Sequence, residues 1–258
     1  MTCQRGAGHR TEMSVYSTEF KILASDVDMY RRLRLSRLFT ILQDVSLRHT
    51  DELGMGRDKT LDRGILWVVT MQRVDAERLP VYDEVVRLET WIGRVRHVMF
   101  PRFFRMTDLE GHTLLTASGF WMLIDEEKRC LLYPQHIGIA FPEENVADEP
   151  PLPSAPKSLE ISGESLYTVP FSSIDLNGHM NNARYLDLAE NVMPEEIRAK
   201  DIRRINAEYA AEIRPDETVR LETGAEENAL YMACTRDDKR LFRIRLDYDD
   251  SNAKSLTP

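Results

Sequence analysis

Cysteine is scarce in this chain: Cys3, Cys130 and Cys234 are the only three among 258 residues, odd in number and far apart. That spacing excludes a disulfide framework and any cysteine-based zinc pattern, and it points to a reducing compartment. Long apolar runs are missing too. None approaches the roughly 18–20 residues that a membrane-spanning helix requires. The opening MTCQRGAGHRTEM has no apolar stretch of the kind that marks a secretory signal. Met13 reads as an alternative start, which would make residues 1–12 a loose extension. Positive charge is not in excess either. The formal net charge of −9 argues against general nucleic-acid binding and against a membrane-surface role. These absences set the expectation of a cytoplasmic protein that binds neither nucleic acid nor membrane. A chain of this length can form one large domain or two of about 110–130 residues, and either can bury a substantial core.

What the chain does carry is a polar cluster in residues 171–190, FSSIDLNGHMNNARYLDLAE, where Asp175, Asn177 and His179 fall at every second position. In an extended segment that spacing sets all three on one face, with Ile174, Leu176, Gly178 and Met180 on the other. A carboxylate, an amide and an imidazole side by side can position a water and move its proton. Asn181 and Asn182 then offer N-cap chemistry to the apolar run Tyr185, Leu186, Leu188, Ala189 and Val192. The alternative is an Asx-rich turn leading into a helix, with His179 at the surface.

An earlier stretch looks like a second copy of the same element. FKILASDVDMYRRLRLSR (20–37) aligns with YTVPFSSIDLNGHMNNAR (167–184) at an offset of 147, so that Ser25, Asp28 and Arg37 fall on Ser172, Asp175 and Arg184. Further on, DEVVRLET (83–90) matches DETVRLET (216–223) at an offset of 133, so the second copy is 14 residues shorter between the two blocks. The order of elements is the same in both, which makes this a duplicated domain. The chemistry was not retained. Tyr30 stands opposite Asn177 and Arg32 opposite His179.

Periodicity yields the same unit twice. Residues 15–24 read as a strand, and 35–53 as a helix with one apolar stripe: Leu35, Leu38, Phe39, Leu42, Val45, His49 and Leu53. Strand-like runs follow at Ile65–Val74, Val85–Ile92, His97–Thr107 and Leu114–Ile124. The second unit has a strand near 165–171, a helix over about 182–193 closed by Pro194, and strands near 202–213, 217–223, 229–235 and 241–248. Residues 142–158, acidic and rich in proline, read as a surface linker. The expected organisation is an N-terminal extension over 1–13, a first domain over 14–141, a linker over 142–162 and a second domain over 163–250. The class is α+β, each half a long helix packed on an antiparallel sheet.

In the run IRRINAEYAAEI, strand alternation sets Ile205, Ala207, Tyr209, Ala211 and Ile213 on one face, and Asn206, Glu208, Ala210 and Glu212 on the other. Either carboxylate, Glu208 or Glu212, could reach a site. Periodicity does not separate them.

Together LETWIGR (88–94), ASGFWMLID (117–125), DLNGHMNNARYLD (175–187) and EYAAEIRPDE (208–217) resemble the acyl-acyl-carrier-protein thioesterases of plants and bacteria, which are built from two tandem hotdog domains. The resemblance spans about residues 14 to 248, and its most specific marker is the DxNxHxNN pattern. It implies an active site of Asp175, Asn177, His179 and Glu212, so it is the resemblance that selects Glu212 over Glu208. It implies hydrolysis of fatty acyl-acyl-carrier protein to free fatty acid and holo-carrier protein, with no cofactor and no metal. In the roles this implies, Glu212 is the base or water-holder, His179 shares the proton, Asn177 positions water or substrate, and Asp175 orients His179 and Asn177. Asp175 as a nucleophile passing through an anhydride stays open. Two other functions stay open as well, acyl-coenzyme A hydrolysis and non-catalytic acyl binding, as does a homodimer. Plant members commonly have a Cys after the site Glu; Ile213 stands there, which excludes a cysteine nucleophile at that position. Gly119 and Phe120 depart from the family pattern as well, with an expected effect on packing.

The implied partner, an acyl-carrier protein, is acidic, so docking on a net-negative chain needs a local basic patch. Candidates are Arg31, Arg32, Arg34 and Arg37; then Arg94, Arg96, Arg102 and Arg105; then Arg198, Lys200, Arg203 and Arg204. Trp67, Trp91 and Trp121 read as core residues. An acyl tunnel is expected to draw its lining from the first half's helix and strands.

Overall fold

The computed structural model describes residues 15–133, 137 and 148–249; the expected N-terminal extension and the start of the expected linker lie outside them. The first half runs β1 (Val15–Lys21), α1 (Leu35–Glu52), β2 (Ile65–Ala76), β3 (Val85–Ile92), β4 (Phe100–Thr107) and β5 (Thr113–Asp125). The second runs β6 (Gly163–Thr168), α2 (Arg184–Asn191), α3 (Glu195–Arg198), β7 (Asp201–Tyr209), β8 (Thr218–Glu226), β9 (Ala229–Arg236) and β10 (Lys239–Asp249).

All ten strands join one antiparallel sheet in the order β1-β3-β4-β5-β2-β7-β10-β9-β8-β6. Read outward from its centre, the order in each half is the same. The duplication seen in the sequence is therefore a duplication of topology. The seam is the pairing of β2 with β7, Met71 opposite Glu208 through Asp75 opposite Arg204.

One face of the first-half sheet carries Val86, Leu88, Phe104, Met106, Leu115 and Ala117, all buried in the main core together with the α1 stripe Leu35, Leu38, Leu42 and Val45. Each of these side chains except Ala117 contributes about 1.5–3 kcal/mol by leaving water. The stripe at three- and four-residue steps is what makes α1 lie along the sheet. The outer face buries Trp91 and Phe103, and Ser118 Oγ there donates to Pro151 O at 2.6 Å, tying down the chain that links the halves.

The expectation of a long helix in each half holds for α1, with 18 residues, but α2 has 8. Pro194 cannot continue a helix, and it follows the Val192 C-cap by two residues. Much of the second copy's shortfall in length therefore lies in its helix. No helix among the described residues is long and apolar enough to cross a membrane.

Candidate active site

The segment between β6 and α2 folds as a turn, not as an extended run. Residues 171–173 form one 3-10 turn, Ile174 and Met180 bridge antiparallel, and the Asp175 N–H donates to His179 O at 2.9 Å. The chain reverses between them at Gly178, with φ +78°. Asp175 Oδ1 accepts the Asn177 N–H at 2.8 Å, an Asx turn. The single shared face expected for Asp175, Asn177 and His179 is thus corrected. An Asn-Gly pair supplies the positive φ of a reversal at little steric cost, and that local preference outweighs a period-two pattern. Asn177 sits exposed at the apex, while Asp175 and His179 are half-buried at the base. Asn181 caps less than expected: its Oδ1 accepts the Ala183 N–H at 2.9 Å, and α2 begins with no side-chain cap.

Glu212 lies beyond the end of β7, which stops at Tyr209 rather than running to 213. The N–H groups of Ala210 and Ala211 both turn to Leu241 O, at 2.8 and 3.1 Å, which breaks the ladder. Ile213 O then accepts the Met180 N–H at 2.7 Å, stitching this segment to the turn. The result is that His179 Nε2 stands 2.9 Å from Glu212 Oε2. Glu208 is held elsewhere, ion-paired with Arg243 opposite it on β10. Around the pair, Tyr185 packs on Phe242 and Tyr209, and the Tyr209 hydroxyl, with one proton to donate, lies within hydrogen-bond reach of Gln72 Oε1 at 3.2 Å and Asn182 O at 3.3 Å. Burial, then the Cys234, Glu212 and Asp175 charges, pushes the Tyr185 phenol well above its ordinary range. Burial followed by Glu222 pushes the Cys234 thiol up to about 12, so it is inert.

The second oxygen of Glu212 meets a residue that no motif announced. Arg129, in the turn after β5, is ion-paired with Glu212 Oε1. Nothing in DEEKRC distinguishes this arginine from any hairpin arginine. The contact spans the two halves, and the sequence carries no signal for it.

The first half contains the same turn with other residues. Asp28 Oδ1 accepts the N–H of Tyr30 at 2.8 Å and of Arg32 at 2.9 Å, Val27 bridges Leu33, and Arg31 takes φ +64° where the second half has Gly178. Leu33 N–H donates to Pro80 O at 2.8 Å, as Met180 N–H does to Ile213 O, so Leu79 occupies the place of Glu212. Arg32, in the place of His179, pairs with Asp28 at 3.0 Å and donates to Arg198 O at 2.5 Å and Lys200 O at 2.7 Å. Nearby, the Leu35 N–H at the start of α1 donates to Glu190 Oε1 at 2.9 Å. The matched amide in the second half is that of Asn182. These residues, with Tyr30, Met193 and Ile202, border a cavity of about 540 Å³. Its walls lack an imidazole, and its helix amide is already occupied by a carboxylate.

Several docking candidates are engaged internally. Arg37 pairs with Asp26, Arg203 with Asp249 and Arg204 with Asp75. Arg102 is a correction of another kind: it is buried, donating to Thr50 Oγ1 at 2.8 Å and Thr90 Oγ1 at 3.3 Å, beside His49 Nδ1 at 3.0 Å. Burial lowers its guanidinium to about 9, which leaves it charged at neutral pH, and no carboxylate among the described residues pairs with it. It lines a cavity of about 30 Å³ beneath α1, with Ser46, Leu47, Thr50, Trp67, Phe100 and Trp121. Trp67 and Trp121 are therefore pocket walls as well as packing residues, whereas Trp91 is core. Arg31, Arg34, Arg94 and Arg96 are exposed without an ion pair among the described residues.

Comparison with known proteins matches both halves. The family model described as the acyl-ACP thioesterase N-terminal domain matches residues 13–133, and that of the C-terminal domain matches residues 157–255. A chloroplastic palmitoyl-acyl carrier protein thioesterase of Cuphea hookeriana is 24% identical over 215 residues, 77% of this chain and 52% of that protein. A chloroplastic oleoyl-acyl carrier protein thioesterase of Arabidopsis thaliana is 22% identical over 225 residues, 79% of this chain and 61% of that protein. The chain thus spans about half the length of the first of these relatives. Among solved structures, an acyl-ACP thioesterase from Bacteroides thetaiotaomicron superposes with a TM-score of 0.81 at 23% identity, covering 92% of this chain and 99% of that one. The 12:0-ACP thioesterase from Umbellularia californica gives 0.79 at 22% identity, covering 91% and 97%. These likenesses give the fold, two hotdog units in tandem.

Proposed function

The chain belongs to the acyl-ACP thioesterase family, and from that premise we propose that it hydrolyses the thioester of fatty acyl-acyl-carrier protein to free fatty acid and holo-carrier protein. The observation that carries this reading is the approach of His179 Nε2 to Glu212 Oε2 at 2.9 Å, beside a helix start. A water held by Glu212 gives up its proton as it attacks the thioester carbonyl, and His179 shares that proton and returns one to the departing thiolate. Thiolate is a good leaving group, so an activated water and a polarised carbonyl are the main requirements. For the developing oxyanion we assign the Asn182 N–H. Its first-half counterpart, Leu35 N–H, already holds a carboxylate oxygen at 2.9 Å, which supports an amide at this place as an anion site. Asn177, exposed at the turn apex, is assigned to contact with the arriving thioester arm. Asp175 is assigned to holding the turn, because its Oδ1 is engaged by the Asn177 N–H. That bond favours the water mechanism over an anhydride on Asp175.

The acyl chain is assigned to the pocket beneath α1. At about 30 Å³ it holds little more than a water or two, so side chains such as Trp121 must move as the chain enters. The carrier protein is assigned to exposed arginines such as Arg94 and Arg96, whose charge complements an acidic partner.

The test is release of free thiol from acyl-carrier protein by the purified protein, without added metal or nucleotide, over a series of chain lengths. Coenzyme A thioesters of the same lengths run alongside, and a higher kcat/KM on them would replace the carrier protein as substrate. Glu212→Gln should lower turnover about 100-fold or more, in the range of general-base losses. Glu208→Gln, in the sheet, should leave it nearly intact. Comparable losses at both positions in folded protein would refute the assignment of Glu212.

A further inference from the structure

We infer that Arg129, supplied by the first half, is a positioning residue of the catalytic centre: it holds the Glu212 carboxylate turned toward His179. The inference rests on the role proposed for Glu212 above.

Glu212 needs such a partner. It follows the end of β7 in a segment without ladder bonds of its own, anchored by backbone bonds at Ala210, Ala211 and Ile213. Its side chain has three free torsions and is more than a third exposed, so the backbone alone does not aim the carboxylate. Two groups meet it, one at each oxygen: His179 at Oε2 and Arg129 at Oε1. Glu212 is thereby pinned from both sides. In the first half, where Leu79 replaces the glutamate, no such cation is required.

Arg129 is itself held in place. Its turn is closed by Asp125 N–H donating to Cys130 O and by Arg129 N–H donating to Asp125 O, both at 2.9 Å. Asp125 Oδ1 accepts the N–H of Glu127 at 3.1 Å and of Lys128 at 2.8 Å. The Glu126 N–H donates to Gly64 O at 2.8 Å, which ties the turn to the loop before β2. Arg129 sits at φ +52°, a conformation that costs a non-glycine residue about 1 kcal/mol or more and is kept where surroundings enforce it. These bonds fix the turn's backbone path, and the Arg129 side chain crosses from it to the other half.

Arg129 meets one oxygen of the carboxylate, Oε1, so the contact acts through charge and reach, which a lysine ammonium can supply in part. The pair is too exposed to add much stability, with side chains 42% and 37% accessible, so its effect belongs in rate rather than in folding. Misplacing a catalytic group by about 1 Å can cost on the order of 100-fold.

The experiment is steady-state hydrolysis of acyl-carrier protein by Arg129→Ala, Arg129→Lys and Arg129→Asn; asparagine tolerates the turn's backbone and guards against a folding artefact. Loss of the guanidinium should lower kcat roughly 10- to 100-fold, with KM within about two-fold and melting unchanged. Lysine should recover part of the loss, and added guanidinium ion should partly rescue Arg129→Ala. Combined with Glu212→Gln, Arg129→Ala should cause no further loss. An undiminished kcat, a loss confined to KM, or losses that multiply in the double variant would each overturn the inference. If Glu212→Gln alone kept full turnover, the proposed role of Glu212 would fall and this inference with it. If Glu212→Gln collapsed while Arg129→Ala did not, only the inference would fall.

Discussion

Asp28 and Asp175 each accept the N–H two residues on and each donate their own N–H to the carbonyl four residues on, and what separates a candidate catalytic turn from a structural one is that fourth residue, Arg32 or His179. A second residue-scale contrast lies at the helix starts. Glu190 occupies the Leu35 amide, and burial, reinforced by Asp187 and Asp28 and opposed by the Leu35 N–H and Arg34, raises its carboxyl above the ordinary 4.5. A carboxyl raised on folding favours the native state while protonated. That contribution is fully present below about pH 4.5 and is lost as pH rises through the folded value. Glu190→Gln keeps an oxygen for the Leu35 N–H and removes the charge. Its stability relative to the parent should therefore improve from pH 5 to pH 8, as measured by urea midpoints at each pH. A difference that stays flat across that range would show that the charge costs nothing there.

At the scale of elements, α1 serves two purposes along one stripe. Its first turns pack Leu35, Leu38 and Leu42 into the core, and its last turns present Ser46, Leu47 and Thr50 to the pocket. Trp121 on β5 forms part of the opposite wall, next but one to Gly119, which lies opposite Arg102 in the register. A Cβ at Gly119 would stand 3.4 Å from the Trp121 indole nitrogen, an ordinary contact, so position 119 lies directly against that wall. Trp121→Ala should shift the preferred substrate toward longer acyl chains, read as the ratio of kcat/KM across chain lengths. It should also lower stability, by less than the ~3–5 kcal/mol of a fully buried aromatic truncation, since Trp121 is half-buried. An unchanged chain-length profile would move the acyl site elsewhere.

For the whole molecule, the halves are joined by more than the β2–β7 seam. Arg204 reaches Asp75, Arg203 reaches Glu77 O, Tyr209 reaches Gln72, and Arg32 reaches the carbonyls of Arg198, at the end of α3, and of Lys200 beyond it. Arg32 was a docking candidate by sequence, but its donors are directed inward and its side chain is 17% accessible. Arg32→Ala should therefore destabilise the protein, by about 2 kcal/mol for hydrogen bonds from a charged group, and leave kcat and KM near the parent values. Calorimetry and kinetics on the same preparation check both. A raised KM that falls away at high salt, with stability unchanged, would return Arg32 to the carrier-protein surface. Because the halves share one sheet and one core, thermal unfolding should be a single cooperative transition.

The sequence by itself determined the duplication, the order of the elements and the α1 stripe, because these rest on local periodicity and on direct comparison of one stretch with another. Val85–Ile92 could be read as a strand to the residue, since Val86, Leu88 and Thr90 alternate with Arg87 and Glu89 in its middle and apolar residues close both ends. The turn at Asp175 was legible only as the alternative to a strand, because spacing of two is shared by strands and by Asx turns, and Gly178 alone tips the balance. Tertiary structure decided the rest. That Arg102 is buried while Arg94 and Arg96 are exposed depends on which face α1 covers. That Arg129 reaches Glu212 depends on the β2–β7 register, which brings a turn of one half against the strand end of the other. Such contacts are set by how two copies pair, and no local pattern in either copy encodes them.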